Sequence, residues 1–160
     1  MNITDLYREH FKHERFANAK MLEMMAGVAD ENKSDPRFAR AVVIADHLAA
    51  CRINHLKFIT AAGGPYEAWF DQEANFEGLA EKFARAEAAW TEYLEALTVE
   101  DALANFGIPV EDGKFWPLQT RIQIEQLIGH AAYHRGQIVL LVDMLGGETV
   151  DTDYVDWVVG

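Results

Sequence analysis

Two histidines four residues apart, His130 and His134, are the strongest chemical signal in the chain. On a helix that spacing puts both on one face, about 6 Å apart along the axis. Imidazoles so placed can converge on one metal ion, as they do in metalloproteases with an H-E-x-x-H motif. Here Ala131 follows the first histidine, so the protease's general base is missing and that reaction is excluded. Leu127, Leu141 and Leu145 share the histidines' face, which predicts that it points into the core. Buried imidazoles need hydrogen-bond partners or a metal, because unsatisfied polar groups are costly in an apolar medium. Two separately satisfied core histidines are the plainer alternative, but a pair at this spacing on an apolar stripe favours the metal.

Two ligands rarely suffice, so a third must come from another helix. His47 is the best candidate, flanked by Ile44, Leu48 and Cys51 on an apolar face. His55, two turns further on, is rotated by about 80° from it and is expected to line the same cavity without ligating. A rival set, His47, Cys51 and His55, lies within one helix, but its rotation swings one end away from a shared ion. His10 and His13 sit among Arg8, Glu9, Lys12 and Glu14 and read as solvated surface. No histidine has a glutamate three residues before it, which excludes a ferritin-like di-iron site. A phosphate-binding glycine loop, a G-x-S-x-G elbow and a Cys-x-x-Cys pair are also absent.

Four segments with helical periodicity must position these residues. They run from about residue 4 to 28, 36 to 62, 75 to 97 and 118 to 145, with Pro36 opening the second and Gly63-Gly64-Pro65 stopping it. Between residues 98 and 117 the period fails. Asp112-Gly113, flanked by Phe106, Phe115 and Trp116, predicts a short irregular hairpin there. The tail from 148 to 160 reads as non-helical, with enough apolar surface in Tyr154, Val155, Trp157 and Val158 to dock. The economical fold is all-α, a four-helix bundle in a single domain spanning residues 1–160, with the hairpin inserted between helices three and four. The fourth segment is apolar on more than one stripe, Ile122, Ile128, Ala132, Val139 and Val142 lying off the histidine face, which predicts a homodimer.

Composition limits the partners. The 160 residues carry 14 Lys+Arg against 26 Asp+Glu, a net charge of −12. That charge repels phosphate backbones and anionic lipid, so neither nucleic acid nor a membrane is an expected partner. The lone Cys51, the lack of a leader-like apolar start and the lack of a membrane-length apolar run predict a cytoplasmic protein.

Several short motifs together resemble the DinB-like superfamily, which includes YfiT-type hydrolases and low-molecular-weight-thiol transferases. Phe16-Ala17-Asn18 is similar to its aromatic-Ala-Asn signature, and His47-Leu48-Ala49-Ala50 to its helix-two histidine segment. Asp112-Gly113-Lys114-Phe115, His130-x3-His134-Arg135-Gly136-Gln137 and Thr152-Asp153-Tyr154 resemble its turn, its H-x3-H-R-G-Q block and its closing motif. The resemblance implies a four-helix bundle, often a homodimer, with a divalent ion such as zinc or nickel on three histidines. Those ligands carry over onto His47, His130 and His134. Relatives are often more aromatic near the end of helix two, where Asn54-His55 here predicts a more polar pocket.

Three neutral nitrogens leave one to three coordination positions open, the arrangement of a catalytic rather than a structural site. The expected function is therefore that of a metal-dependent enzyme. By resemblance, a low-molecular-weight thiol attacks an electrophile there, with Gln137 or Asn18 orienting it. Hydrolysis is the close variant, with Tyr133 or His55 as the only bases in view, and a metal-binding protein without turnover is the alternative of a different class.

Overall fold

The computed structural model describes residues 2–160. Four long helices form the bundle: α1 (Ile3–Ala26), α2 (Pro36–Thr60), α3 (Phe76–Ala96) and, after a short α4 (Val99–Leu103) and a hairpin, α5 (Thr120–Met144). Each long helix up to the hairpin starts on a side chain that caps it. Asn2 Oδ1 accepts from the amides of Thr4 and Asp5 while Asp5 returns the bond to Asn2 N, a closed capping box. Asp35 caps α2 just ahead of Pro36, and Asn75 caps α3 through Gly78 N. The predicted stop of α2 takes the form of a left-handed Ala61 followed by Gly63 and Gly64, both at positive φ.

The hairpin pairs β1 (Asn105–Pro109) with β2 (Phe115–Gln119), antiparallel, Gly107 facing Pro117, around a turn at Asp112 and Gly113, both at positive φ. The expected hairpin is present but is a regular ladder rather than an irregular one, and α4 precedes it in a stretch where five residues are too few to establish a period. The tail also departs from expectation, because Tyr154–Val159 form a short helix, α6. Six residues again hide the periodicity. No helix among the described residues is long and apolar enough to cross a membrane.

The helices pack as a ring in the order α1, α3, α2, α5. One apolar cluster, with Met21, Met25, Ile44, Phe83, Ile138 and Val142, fills one half of the core, and a second, with Tyr7, Phe11, Trp90, Leu94 and Ile124, fills the other. Val142, expected on an outer stripe of the fourth helix, is therefore interior, whereas Ile122 and Ala132 stay exposed and Ile128 and Val139 are half-buried. His10 and His13 are half-buried too. The α6 segment covers them, with Tyr154 against both rings and Thr152 O accepting from His13 Nε2 at 2.8 Å.

Every residue of α2 from Ala41 to Arg52 is buried. Arg52 meets Glu14 of α1 across the diagonal of the ring, in a two-pronged ion pair whose members are each less than a tenth exposed. The guanidinium lies 4.9 Å from the Trp90 ring, and Trp90 Nε1 donates to Arg52 O at 2.8 Å. Gly147 closes the other end, where a β-carbon would come within 2.6 Å of Val142 Cγ1. Replacing Glu14 with alanine leaves buried arginine without its counter-charge and should destabilise the fold by about 3–5 kcal/mol. Urea denaturation of Glu14→Ala measures this, and a loss under about 1 kcal/mol would show that water compensates the charge.

Candidate metal centre

His47 projects from the middle of α2 and is 5% exposed, while His130 and His134 project from α5 toward it. The buried stripe of α5 runs through Leu127, Ala131, Ile138 and Val142, so the two α5 histidines flank the core at half-burial instead of facing straight into it. Their Nε2 atoms lie 3.1 Å apart, and His130 Nε2 lies 3.3 Å from His47 Nε2. One nitrogen from each ring falls within 4.8 Å of the other two. Two nitrogens bound to one tetrahedral zinc at about 2.0–2.1 Å sit roughly 3.3 Å apart. The spacing fits.

Hydrogen bonds at the far side of two rings set their tautomers. His47 Nδ1 meets the Trp69 carbonyl at 2.5 Å, and a carbonyl only accepts, so that nitrogen carries the proton. His134 Nδ1 donates to Gln137 Oε1 at 2.7 Å. Both Nε2 atoms are therefore lone pairs aimed at His130. A single Nε2–H on His130 cannot serve both well, whereas one cation satisfies all three nitrogens. That donor set, with partners orienting the rings from behind, is the chemistry a divalent ion needs.

Burial favours the neutral form of His47 and His130. Desolvation lowers the His47 pKa, with the His134 charge adding to it, and takes His130 down to about 4. The same desolvation takes His55 to about 4, and its Nδ1 is buried without a partner. The Cys51 sulfur lies 3.5 Å from His47 Nε2, but it is not part of the convergent cluster, and burial pushes its thiol up to about 12. The structure thus brings His47, His130 and His134 together, whereas His47, Cys51 and His55 form no such three-member cluster among the described residues.

The loop between α2 and α3 supplies what the sequence reading missed. Fully buried Asn54 donates to Glu67 O at 2.9 Å and accepts from Glu67 N at 2.8 Å, pinning the loop to α2. The pinned loop then delivers the Trp69 carbonyl and lays Phe70 on His47, with ring centroids 4.0 Å apart and planes within 7°. Asn54 is spent on the loop and aromatic rings come from the loop, so the expected polar pocket is corrected to one with an aromatic rim. Tyr66, Trp69 and Phe70 crowd five residues of non-helical sequence, a signal that was open to reading.

The other predicted site residues divide. Gln137 orients His134 as described. Tyr133 packs edge-on against His134 but is 65% exposed, on the outside of the histidine cluster. Asn18 lies deeper, donating to Glu87 and accepting from Arg135, both at 3.3 Å. A void of about 10 Å³, room for about one water, is lined by both Asn18 and His130.

A family model described as the DinB family matches residues 1–158. No curated protein and no solved structure matches the chain.

Titration with a competing chelator ranks these roles. His134→Ala should lower metal affinity by more than about 100-fold, and Gln137→Ala by about 10–100-fold, as removal of an orienting partner does. His55→Ala should change affinity little, and a loss equal to that of His134→Ala would put the ligand set inside α2. A second expectation concerns acid. The folded-state pKa of His130 lies below the unfolded value of about 6.5, so the unfolded chain binds more protons between about 4 and 6.5. The metal-free protein should hold full histidine-linked stability above that window and lose it as pH falls through it. Melting temperatures at pH 7, 6 and 5 test this, and His130→Ala should flatten the slope.

Proposed function

From the premise that the chain belongs to the DinB family, we propose that it is a metal-dependent enzyme whose divalent ion, zinc or nickel, sits on His47, His130 and His134. One observation carries the reading: three Nε2 atoms converge, two of them left as lone pairs by the hydrogen bonds to Trp69 and Gln137. An ion with open positions there supplies Lewis acidity that brings the pKa of a thiol or water toward neutrality.

A low-molecular-weight thiol is the substrate that fits best. Sulfur would form the new bond to an electrophilic carbon, the leaving group would depart, and the thiol proton would pass to solvent. Hydrolysis needs a base for water. Asp46, the carboxylate next to His47, is instead bound to Lys82 at 2.7 Å. His55 stays neutral but is shut in between Phe58 and Trp69. A thiol, far more acidic than water, needs no such base once the ion is near it. The half-exposed Trp69 and Phe70 would then screen the reacting sulfur from water. A cytoplasmic setting suits this reading, because free thiols persist in a reducing compartment.

For the assembly we propose a homodimer. An exposed ridge of α5, with Ile122, Tyr133, Leu140 and Met144 all at least 37% exposed, is the surface that supports it.

Elemental analysis of the purified chain should find about one zinc or nickel per chain, and His130→Ala should remove it. The metal-loaded protein should then consume a small thiol in the presence of an alkylating electrophile, and chelation should abolish turnover. Metal bound without turnover on any thiol would assign the chain to the non-catalytic class. Light scattering at micromolar concentration should give twice the chain mass of 18.1 kDa, and a monomer would remove the dimer.

A further inference from the structure

The interior holds a guanidinium, that of Arg135, with which no carboxylate among the described residues forms an ion pair. Both oxygens of Glu14 are committed to Arg52. Arg135 is 6% exposed, yet among the described residues its one hydrogen bond runs from Nη1 to the neutral Asn18 at 3.3 Å, and its Nε is buried without a partner there. Glu87 reaches the same Asn18 and spends its other oxygen on Arg15. Leaving a buried charge without a counter-charge is strongly unfavourable. A chain with 26 acidic residues against 14 basic ones has carboxylates to spare, yet among the described residues none forms an ion pair with Arg135.

Arg135 lines a groove of about 820 Å³ between α1, α5 and residues 149–154. That is within the size range of small-molecule sites, about 300–1,000 Å³. Ile128 and Val139 give one wall an apolar surface, and Tyr154, held against His10 and His13, gives the other an aromatic one. Around the α5 axis the groove positions Ala132 and Val139 lie nearly half a turn from His130 and His134, so the groove and the metal centre occupy opposite sides of the helix.

We propose that this groove binds a small organic monocarboxylate, its carboxylate on Arg135 and its apolar body along Ile128, Val139 and Tyr154. A single negative charge matches the single guanidinium that lacks a contacting carboxylate. A dianionic phosphate would carry excess charge past Asp151 and Asp153, which also line the groove. Glu14 lines it as well, but Arg52 already neutralises that carboxylate. The proposal does not depend on the metal centre.

Isothermal titration of the full chain, stripped of metal so that no carboxylate reports on the histidines, tests it with hexanoate and its neutral counterpart hexanamide. Hexanoate should saturate one site per chain, and hexanamide should bind at least about ten-fold more weakly, as loss of a charge-assisted pair predicts. Arg135→Gln should weaken hexanoate binding by about ten-fold or more. If that variant fails to fold, Ala132→Trp decides, because its indole fills the groove from an exposed position and leaves Arg135 in place. Loss of hexanoate binding in Ala132→Trp supports the site. Equal binding of hexanoate and hexanamide, absence of saturation, or binding indifferent to Ala132→Trp overturns it, as does a second copy of the chain cross-linked across the groove.

Discussion

Helix α2 runs through the interior with four polar side chains that cannot reach water, and each one has to find its partner on a different element. Asp46 takes Lys82 from α3, Arg52 takes Glu14 from α1, and Asn54 takes the backbone of Glu67 in the loop before α3. His47 takes the Trp69 carbonyl behind it and faces the α5 histidines in front. A buried polar group without a partner costs more than a formed hydrogen bond returns. These four requirements therefore fix how α1, α3, the loop and α5 sit around α2. The apolar clusters on either side supply most of the stabilisation but would tolerate sliding, whereas the polar contacts are directional and would not.

The candidate centre inherits its precision from that arrangement. Nothing in the His47 side chain itself decides which nitrogen carries the proton. Asn54 holds the loop, the loop holds the carbonyl, and the carbonyl holds the tautomer. Phe70, brought in by the same loop, removes water from one face of the ring. Burial then lowers the pKa of His47 and His130, so the rings remain neutral donors at pH 7. The same desolvation leaves their lone pairs free of protons, which is the state a cation requires.

Arg135 stands apart from this pattern of matched partners. It follows directly on His134 in sequence, but the helical turn carries its side chain to the other flank of the bundle, into the layer that holds Glu14 and Asn18. One short stretch of α5 thus contributes to two regions of opposite character, one collecting neutral lone pairs and one carrying an unanswered positive charge.

The fold class and the two α5 histidines were legible in the sequence because both follow from a period of 3.6 residues, which is a local property of the chain. The four helices, the stop at Gly63-Gly64 and the turn at Asp112-Gly113 are equally local, set by caps and by residues tolerant of positive φ. Short elements such as α4 and α6 were not legible, because five or six residues cannot establish a period. His47 could be chosen from its apolar surroundings, but its approach to His130 spans 83 positions, and no spacing encodes such a distance. The same holds for Asn18, whose hydrogen bonds to Glu87 and Arg135 depend on how α1 rotates against α3 and α5. Composition and periodicity determined that a bundle would form with histidines at or beside its apolar faces. Only the packed structure decided which nitrogens meet, because that depends on partners far apart in the chain and brought together by burial.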